Sequence, residues 1–456
     1  MTRNPEFQRQ LWLNWSPSLL AWSLGLSALV LALPLVLAPA SERASYLGVT
    51  ATAGLWMASA VYGSVLAGRS LAEEAGQNTW DWQRLSALSP WQMAWGKLLG
   101  SAVPAWMYTL WFALAVLFVS ATWAGQAALG LHSVALAVLW GLGLQAWAMN
   151  SVLIGWGQRE IPANRRRAAL LPLLFLFFIP GPYLGRIYGS LLNGSERAVL
   201  WWGLDIGSKG MAYLFGALLL ALGLLTLWRQ LCARLDVRTL PWAWPLGLAA
   251  SGFFVAGTLD AGLPALWKAT AWIALAATAY AALQHVHSDL RSWRQVQWSA
   301  SRGRWREMLQ ALPLWPVSWL LALAASLLLP LQPNAHEAGH GAGMVALLAC
   351  LQLLRDGLIL TGFALLAGRL RSPLAAFCMA WVVINIVLPL LALGLAGPGG
   401  AAAVQPAMAL MFGDSGIPAI RDATAWVSLG LQLLLAAGWA AWIFRDRVLG
   451  FAHENG

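Results

Sequence analysis

The pentad His336-Glu337-Ala338-Gly339-His340 has the H-E-x-x-H spacing of a metal site. On a helix that pattern sets two imidazoles on one face for zinc, with the glutamate as general base. A catalytic zinc needs a third protein ligand. The acid that follows in the same segment is Asp356, sixteen residues past His340, roughly 24 Å along a continuous helix. It cannot close the site, and nothing in the sequence brings His132 or Asp414 to it. The pentad reads as part of a polar connector rich in Pro, Asn and Gly, so no metal is expected. A second pattern, Gly63-Ser-Val-Leu-Ala-Gly68-Arg69-Ser70, has P-loop glycine spacing with Arg where Lys belongs. It follows an apolar segment and no βαβ unit surrounds it, so it is read as coincidence and the chain as holding no nucleotide.

Two further sets of polar residues stand out against an apolar background. Arg355-Asp356 lies deep in an apolar stretch, where charge is costly and marks a bundle interior or a polar pathway. Adjacent helical residues point about 100° apart, so the two need not pair with each other. The matching region of the first half carries Gln145 and Asn150, and Gln352 lies beside Arg355. These five residues are the candidates for a translocation pathway. The other set is the strip Glu74 to Lys97, with Gly76, Thr79, Asp81, Arg84, Leu85, Pro90 and Gly96 between two apolar segments. It predicts a short amphipathic helix, a turn at Pro90 and a Gly-Lys at the mouth of the next span. Arg84, flanked by Trp82 and Leu85, offers charge and apolar area together, and Lys97 with Trp91 and Trp95 is expected to pin the helix at headgroup level.

The background decides the class. With 59% hydrophobic and 10% charged residues, the chain lies far from a soluble globule, whose charged fraction is about 25%. Apolar stretches at 17–38, 46–68, 98–120, 130–156, 169–185, 208–228, 241–259, 263–285, 314–332, 343–368, 374–395 and 424–444 approach the length of about 20 residues that spans a bilayer. The fold class expected is all-α: a polytopic membrane protein of about twelve transmembrane helices. Residues 1–15 carry Arg3, Glu6 and Arg9 and read as an interfacial helix. Cys232, Cys350 and Cys378 form no disulfide or metal-thiolate pattern.

With both termini cytoplasmic, only Arg43, Arg186, Arg197, Lys209, Lys268, Arg421 and the intramembrane Arg355 fall outside the inner connectors, among 28 Lys and Arg residues. That bias obeys the positive-inside rule. It accounts for the net charge of +10 through orientation and anionic headgroups, without nucleic acid. The 30 Trp residues suit the aromatic belts of a bilayer.

The order of elements occurs twice, in 1–236 and again in 237–456. Pro104 and Trp106 match Pro313 and Trp315, and Gln145 matches Gln352. A rival register pairs Trp91 and Trp95 with Trp315 and Trp319. The start Asn4-Pro5-Glu6-Phe7, the run from Glu74 through Thr79 and Pro90 to Gly96-Lys97, and the irregular segment before the sixth span resemble the type-2 ATP-binding cassette (ABC) permeases. The resemblance is carried by the first half. In the second half, the 286–307 strip with Arg302, Arg304 and Arg306 follows in layout.

The resemblance implies a type-2 ABC exporter-like transmembrane fold, two six-span units fused in one chain. It also implies coupling to ATPase subunits, in two copies, through Glu74, Thr79, Asp81, Arg84, Leu85, Pro90 and Lys97 of the first strip and Arg302, Arg304 and Arg306 of the second. ATP and magnesium would sit on that partner, and this chain would be no enzyme. A further periplasmic or membrane subunit is compatible with the same layout. The cargo implied is amphipathic or lipid-linked, moved outward across a bacterial inner membrane. The alternatives are a proton-coupled secondary transporter of twelve spans, for which Asp356 would be the relay carboxylate, and a membrane zinc metalloprotease using His336, Glu337 and His340.

Overall fold

The computed structural model describes residues 4–76, 83, 88–122, 127–156, 198–235, 237, 240, 242–259, 262–285, 289–329, 337–366, 369–370, 372–405 and 423–449. The chain folds as two compact units, Met1–Leu200 with Leu204–Thr239, and Trp201–Gly203 with Leu240–Gly456. Apart from two-residue strands at Leu200–Trp201 and Leu204–Asp205, the regular elements among the described residues are helical.

The first unit begins with α1 (Pro5–Asn14), started by Pro5 and by the Asn4 side chain, which accepts from the backbone N–H of Glu6 and Phe7. Helix α2 (Pro17–Leu37) starts the same way at Ser16. Helix α3 (Arg43–Trp56), a π-helical turn (Met57–Tyr62) and α4 (Gly63–Gly76) run on as one long helix. Helix α5 (Pro90–Gly100) opens with a capping box of Ser89 and Gln92, and α6 (Val103–Thr122), α7 (Ala127–Trp156) and α8 (Gly207–Arg234) follow. Helix α2 packs against α3 and α6, α3 on α6, α4 on α7, α6 on α7, and α7 along α8. Leu71, Met93, Leu98, Met149, Leu153, Leu227 and Leu231 close the core where α4, α5, α7 and α8 meet.

The second unit contains α9 (Ala243–Thr258), α10 (Leu263–His285), α11 (Asp289–Ser301), α12 (Trp305–Ala311), α13 (Leu314–Leu328), α14 (Glu337–Leu365), α15 (Pro373–Val382), a π turn (Val383–Val387), α16 (Leu388–Val404) and α17 (Ala423–Phe444). Helix α9 packs on α10 and α13, α10 on α13 and α14, α13 on α14, and α14 along α17. The packing order is that of the first unit, with α10 in place of α3 and α4 together. Pro104 and Pro313 both stand at the start of the third long helix of their unit, which selects the Trp106–Trp315 register over the one that pairs Trp91 with Trp315.

Nine helices among the described residues are long and apolar enough to cross a membrane, or ten if one bent pair counts as a single span. The expectation of about twelve is therefore met only in part. The stretch 169–185 lies outside the described residues. Helix α9 has 16 residues, about 24 Å of length against a hydrocarbon core of about 30 Å. The stretch at 314–332 forms α13, of 15 residues, which meets the short α12 before it at 92°. Near the C-terminal end of α9 the Trp202 backbone N–H donates to Gly257 O at 3.1 Å, Trp201 Nε1 to Phe254 O at 3.1 Å and Trp202 Nε1 to Phe253 O at 3.2 Å.

Helix α1 lies on α5 at a distance that only glycine permits. A Cβ on Gly96 would come within 2.7 Å of Glu6 Cβ and 2.8 Å of the Phe7 nitrogen, and one on Gly100 would strike the Gln10 side chain. Gly96→Val is expected to lift α1 and cost about 1–3 kcal/mol, the range for overpacking. The check is the thermal midpoint of the detergent-solubilised chain together with hydrogen exchange of the α1 amides. Unchanged protection of those amides would show that α1 does not depend on this face.

Candidate functional site

A charge inside a helical bundle needs a partner within reach, because desolvation is not otherwise offset. In the first unit that rule is met by a cluster built from three helices. Lys97, 1% exposed on α5, lies between Glu6 of α1, at 3.1 Å, and Glu74 of α4, to which it donates a short hydrogen bond. Arg9 of α1 spans the same two carboxylates, 2.8 Å from Glu6 Oε1 and 2.6 Å from Glu74 Oε1. Gln10 donates to Glu6 at 3.1 Å and to Glu74 at 3.0 Å. Two cations balance two anions. Asn4 Nδ2 to Gln92 O at 2.7 Å and Asn14 Nδ2 to Gly100 O at 3.4 Å tie the two ends of α1 to α5.

Burial alone would raise the Glu6 carboxyl. The Arg9 hydrogen bonds, the Lys97 charge and the Gln10 amide outweigh it and hold Glu6 below its usual 4.5. The hydrogen bond to Glu6, opposed by burial and supported by the charges of Glu6 and Glu74, raises the Arg9 guanidinium.

This placement corrects the expectation for Lys97, which is an ion-pair centre and not a headgroup anchor; Glu74 turns inward with it. Trp91 and Trp95 do meet edge to face at 6.2 Å. Pro90 is the first residue of α5. Thr79, Asp81, Arg84 and Leu85 lie outside the described residues. Gln83 is described, and its amide donates to Glu74 Oε2 at 3.1 Å. The strip is therefore attached to the cluster by at least one bond. In the second unit, Arg302 and Arg304 stack on the Trp298 ring at 4.1 Å and 5.3 Å, flanking the turn at Gly303, and Arg306 is exposed on α12.

The second constellation surrounds Arg355, 1% exposed on α14. Its guanidinium donates four hydrogen bonds within the protein. Nε donates to Asp356 Oδ1 at 2.9 Å, Nη1 to Gln432 and to Gln405 at 3.5 Å, and Nη2 to Asn385 at 2.5 Å, with Asp356 Oδ1 forming an ion pair 2.7 Å from Nη2. The neighbours do pair, since the long Arg side chain folds back to its own turn. Trp381 Nε1 holds the other Asp356 oxygen at 3.0 Å. Gln405 donates to Asn385 at 2.6 Å and accepts from Gln352 at 3.3 Å. The cluster joins α14, the π turn after α15, the end of α16 and α17.

Beside it lies a cavity of about 370 Å³ lined by apolar side chains from the same elements and α15, together with Arg355 and Gln432. Gln145 and Asn150 make no equivalent cluster among the described residues. Gln145 donates to Ser59 O at 2.9 Å inside the π turn, and Asn150 to Gly223 O at 3.0 Å and Thr226 Oγ1 at 2.7 Å. Glu337 and His340 begin α14, but their side chains, like the whole of His336, lie outside the described residues.

Sequence reasoning named Arg355, Asp356 and Gln352 but missed Asn385, Gln405, Gln432 and Trp381. The usable signal was an isolated amide in each of three apolar stretches. Glu6, Arg9 and Gln10 were read as the polar face of an interfacial helix, because a single helix gives no sign that its polar face meets a buried Lys.

These features define a polytopic α-helical membrane protein of two units, each with a buried, charge-balanced or amide-paired polar cluster. No family model matches the sequence, no curated protein matches it, and no solved structure matches its fold.

Two outcomes follow. Lys97→Met leaves Glu6 and Glu74 facing each other and is expected to cost about 3–5 kcal/mol, the range for breaking a buried pair. Because Glu6 is held below 4.5, its contribution is complete above that pH and fades as pH falls through the lower folded value. Thermal midpoints followed below pH 4.5 should drop in the native chain and level off in Glu6→Gln.

Arg355→Leu strands Asp356 and three amides and is expected to lose about 3–5 kcal/mol, with much of it recovered by adding Asp356→Leu. A single variant as stable as the native chain would remove the cluster's structural role.

Proposed function

We propose that this chain is the transmembrane permease subunit of an ATP-driven exporter. It would couple ATP hydrolysis on separate ABC-type ATPase subunits, which bind ATP and magnesium, to outward movement of an amphipathic or lipid-linked molecule. The reading places the chain in a bacterial inner membrane with both termini in the cytoplasm. Two six-span units stand side by side in sequence, and a further membrane or periplasmic subunit is compatible with it.

The observation that carries the reading is the Glu74 carboxylate. It is bonded at once to Arg9 of α1, Lys97 of α5 and Gln83 of the strip. A force applied to the strip by a soluble partner therefore reaches both the interfacial helix and α5, which leads into the third long helix, through one buried group. Helix α11, with its polar face and the Arg302–Trp298–Arg304 stack, supplies the corresponding surface of the second unit. The proton-coupled alternative gains nothing from Asp356, whose two oxygens are held by Arg355 and Trp381. A relay carboxylate has to exchange its proton with a pathway.

Affinity purification in mild detergent from the native host tests the proposal, with Arg84→Glu as control. A nucleotide-binding subunit and ATPase activity should co-elute with the native chain and be lost or sharply reduced with the control. A chain that purifies alone, without ATPase activity, would overturn it.

A further inference from the structure

The cavity beside Arg355 has a chemistry different from the one its arginine suggests. A guanidinium in a membrane protein invites an anionic ligand, but this one is already charge-paired and donates four hydrogen bonds within the protein. Asp356 balances its charge at 2.7 Å, and Asn385, Gln405 and Gln432 accept from it. What remains open is apolar: Ile359 and Phe363 from α14, Ile384 and Leu388 from the π turn and α16, Leu435 and Trp439 from α17.

Helices α15 and α17 each pack on α14, and it is α16 that packs against α17. A cleft floored by α14 results. Leu388, 44% exposed, and Leu435, 67% exposed, stand at its rim. The two apolar spans that wall it, Pro373–Gly397 and Trp426–Leu449, are only 17% and 22% buried, against 33–44% for every other candidate span except the first. Both therefore face the bilayer, and so does the cleft between them.

We infer that this cleft holds one hydrocarbon chain of a bilayer lipid. Burial from water gives no reason for a tail to leave the bilayer, because lipid is as apolar as leucine. The reason is the void. About 370 Å³ bordered by apolar atoms forgoes dispersion contacts while empty, and an apolar lining gives water too few partners to replace them. A flexible chain entering from the side restores those contacts. The charge-paired Arg355 cluster ends the cleft as a neutral floor, so the site selects a tail and not a headgroup charge. The inference does not rest on ATPase coupling and stands or falls apart from it.

The experiment uses the full chain in phosphatidylcholine nanodiscs doped with a phosphatidylcholine or a phosphatidylglycerol that carries a mid-chain diazirine. Photolabelled peptides are mapped by mass spectrometry. Labelling at 380–388 and 432–439 should exceed that at exposed Leu391, Leu395 and Val427 by about tenfold, the ratio given by 1.4 kcal/mol of preference. It should be equal for the two headgroups. Ala436→Phe, which fills the cleft from α17, and Ala380→Phe, which fills it from α15, should each abolish the excess. Unchanged thermal midpoints in either one suffice to separate filling from misfolding. Uniform labelling of all lipid-facing positions would overturn the inference, as would an excess that survives in a stably folded filled variant. A strong preference for phosphatidylglycerol would overturn the neutral floor and return Arg355 to the role of anion receptor.

Discussion

Lys97 is an ammonium with no water to stabilise it, and the lower part of the first unit is arranged around that fact. Its two carboxylate partners come from two helices that precede it in sequence, Glu6 before the first span and Glu74 at the end of the second. Glu6 could not reach it if α1 stood a methyl group further out. The glycines at 96 and 100 set that spacing, the Asn4 cap fixes where α1 begins, and Arg9 and Gln10 take up the carboxylate oxygens that Lys97 leaves. Removing one partner leaves the others buried and unpaired, which is the expensive state. The cluster therefore behaves as a unit, and α1, α4 and α5 move together or come apart.

The second unit meets the same constraint with different groups. One cation and one anion come from adjacent positions of a single helix, and the cross-links to other helices are amides. Amides give direction without charge, so α15, α16 and α17 are held to α14 by hydrogen bonds whose geometry is specific and whose desolvation is modest. The same atoms that satisfy Arg355 define the polar end of the neighbouring cleft.

Much of the architecture was legible in the sequence because lipid imposes so strong a pattern. Long apolar stretches, Pro at helix starts and basic connectors placed nine of the long helices within a few residues. What failed was the assumption that every apolar stretch gives a helix of full spanning length. The stretch at 314–332 gives a helix of 15 residues set at 92° to the short helix before it, and α9 has 16 residues. The polar residues were found but given the wrong neighbours. Composition shows that Lys97, Glu74, Arg355 and Asp356 are unusual in their setting; only the packing of separate helices shows that the first pair turns inward. Asn385, Gln405 and Gln432 were overlooked because a single amide in an apolar stretch costs little hydropathy.

The pairing of Arg355 with the very next residue bears on how this protein is made. A segment entering the bilayer does so before its neighbours have packed around it, and a lone arginine or aspartate at the middle of such a helix opposes insertion by about 2.5–3.5 kcal/mol. Because the ion pair lies within one turn of α14, it can close while the helix is still alone, and the segment can pass from the translocation machinery into lipid as a nearly neutral rod. The amides of later helices then find a preformed guanidinium waiting, so the order of synthesis and the order of bonding coincide.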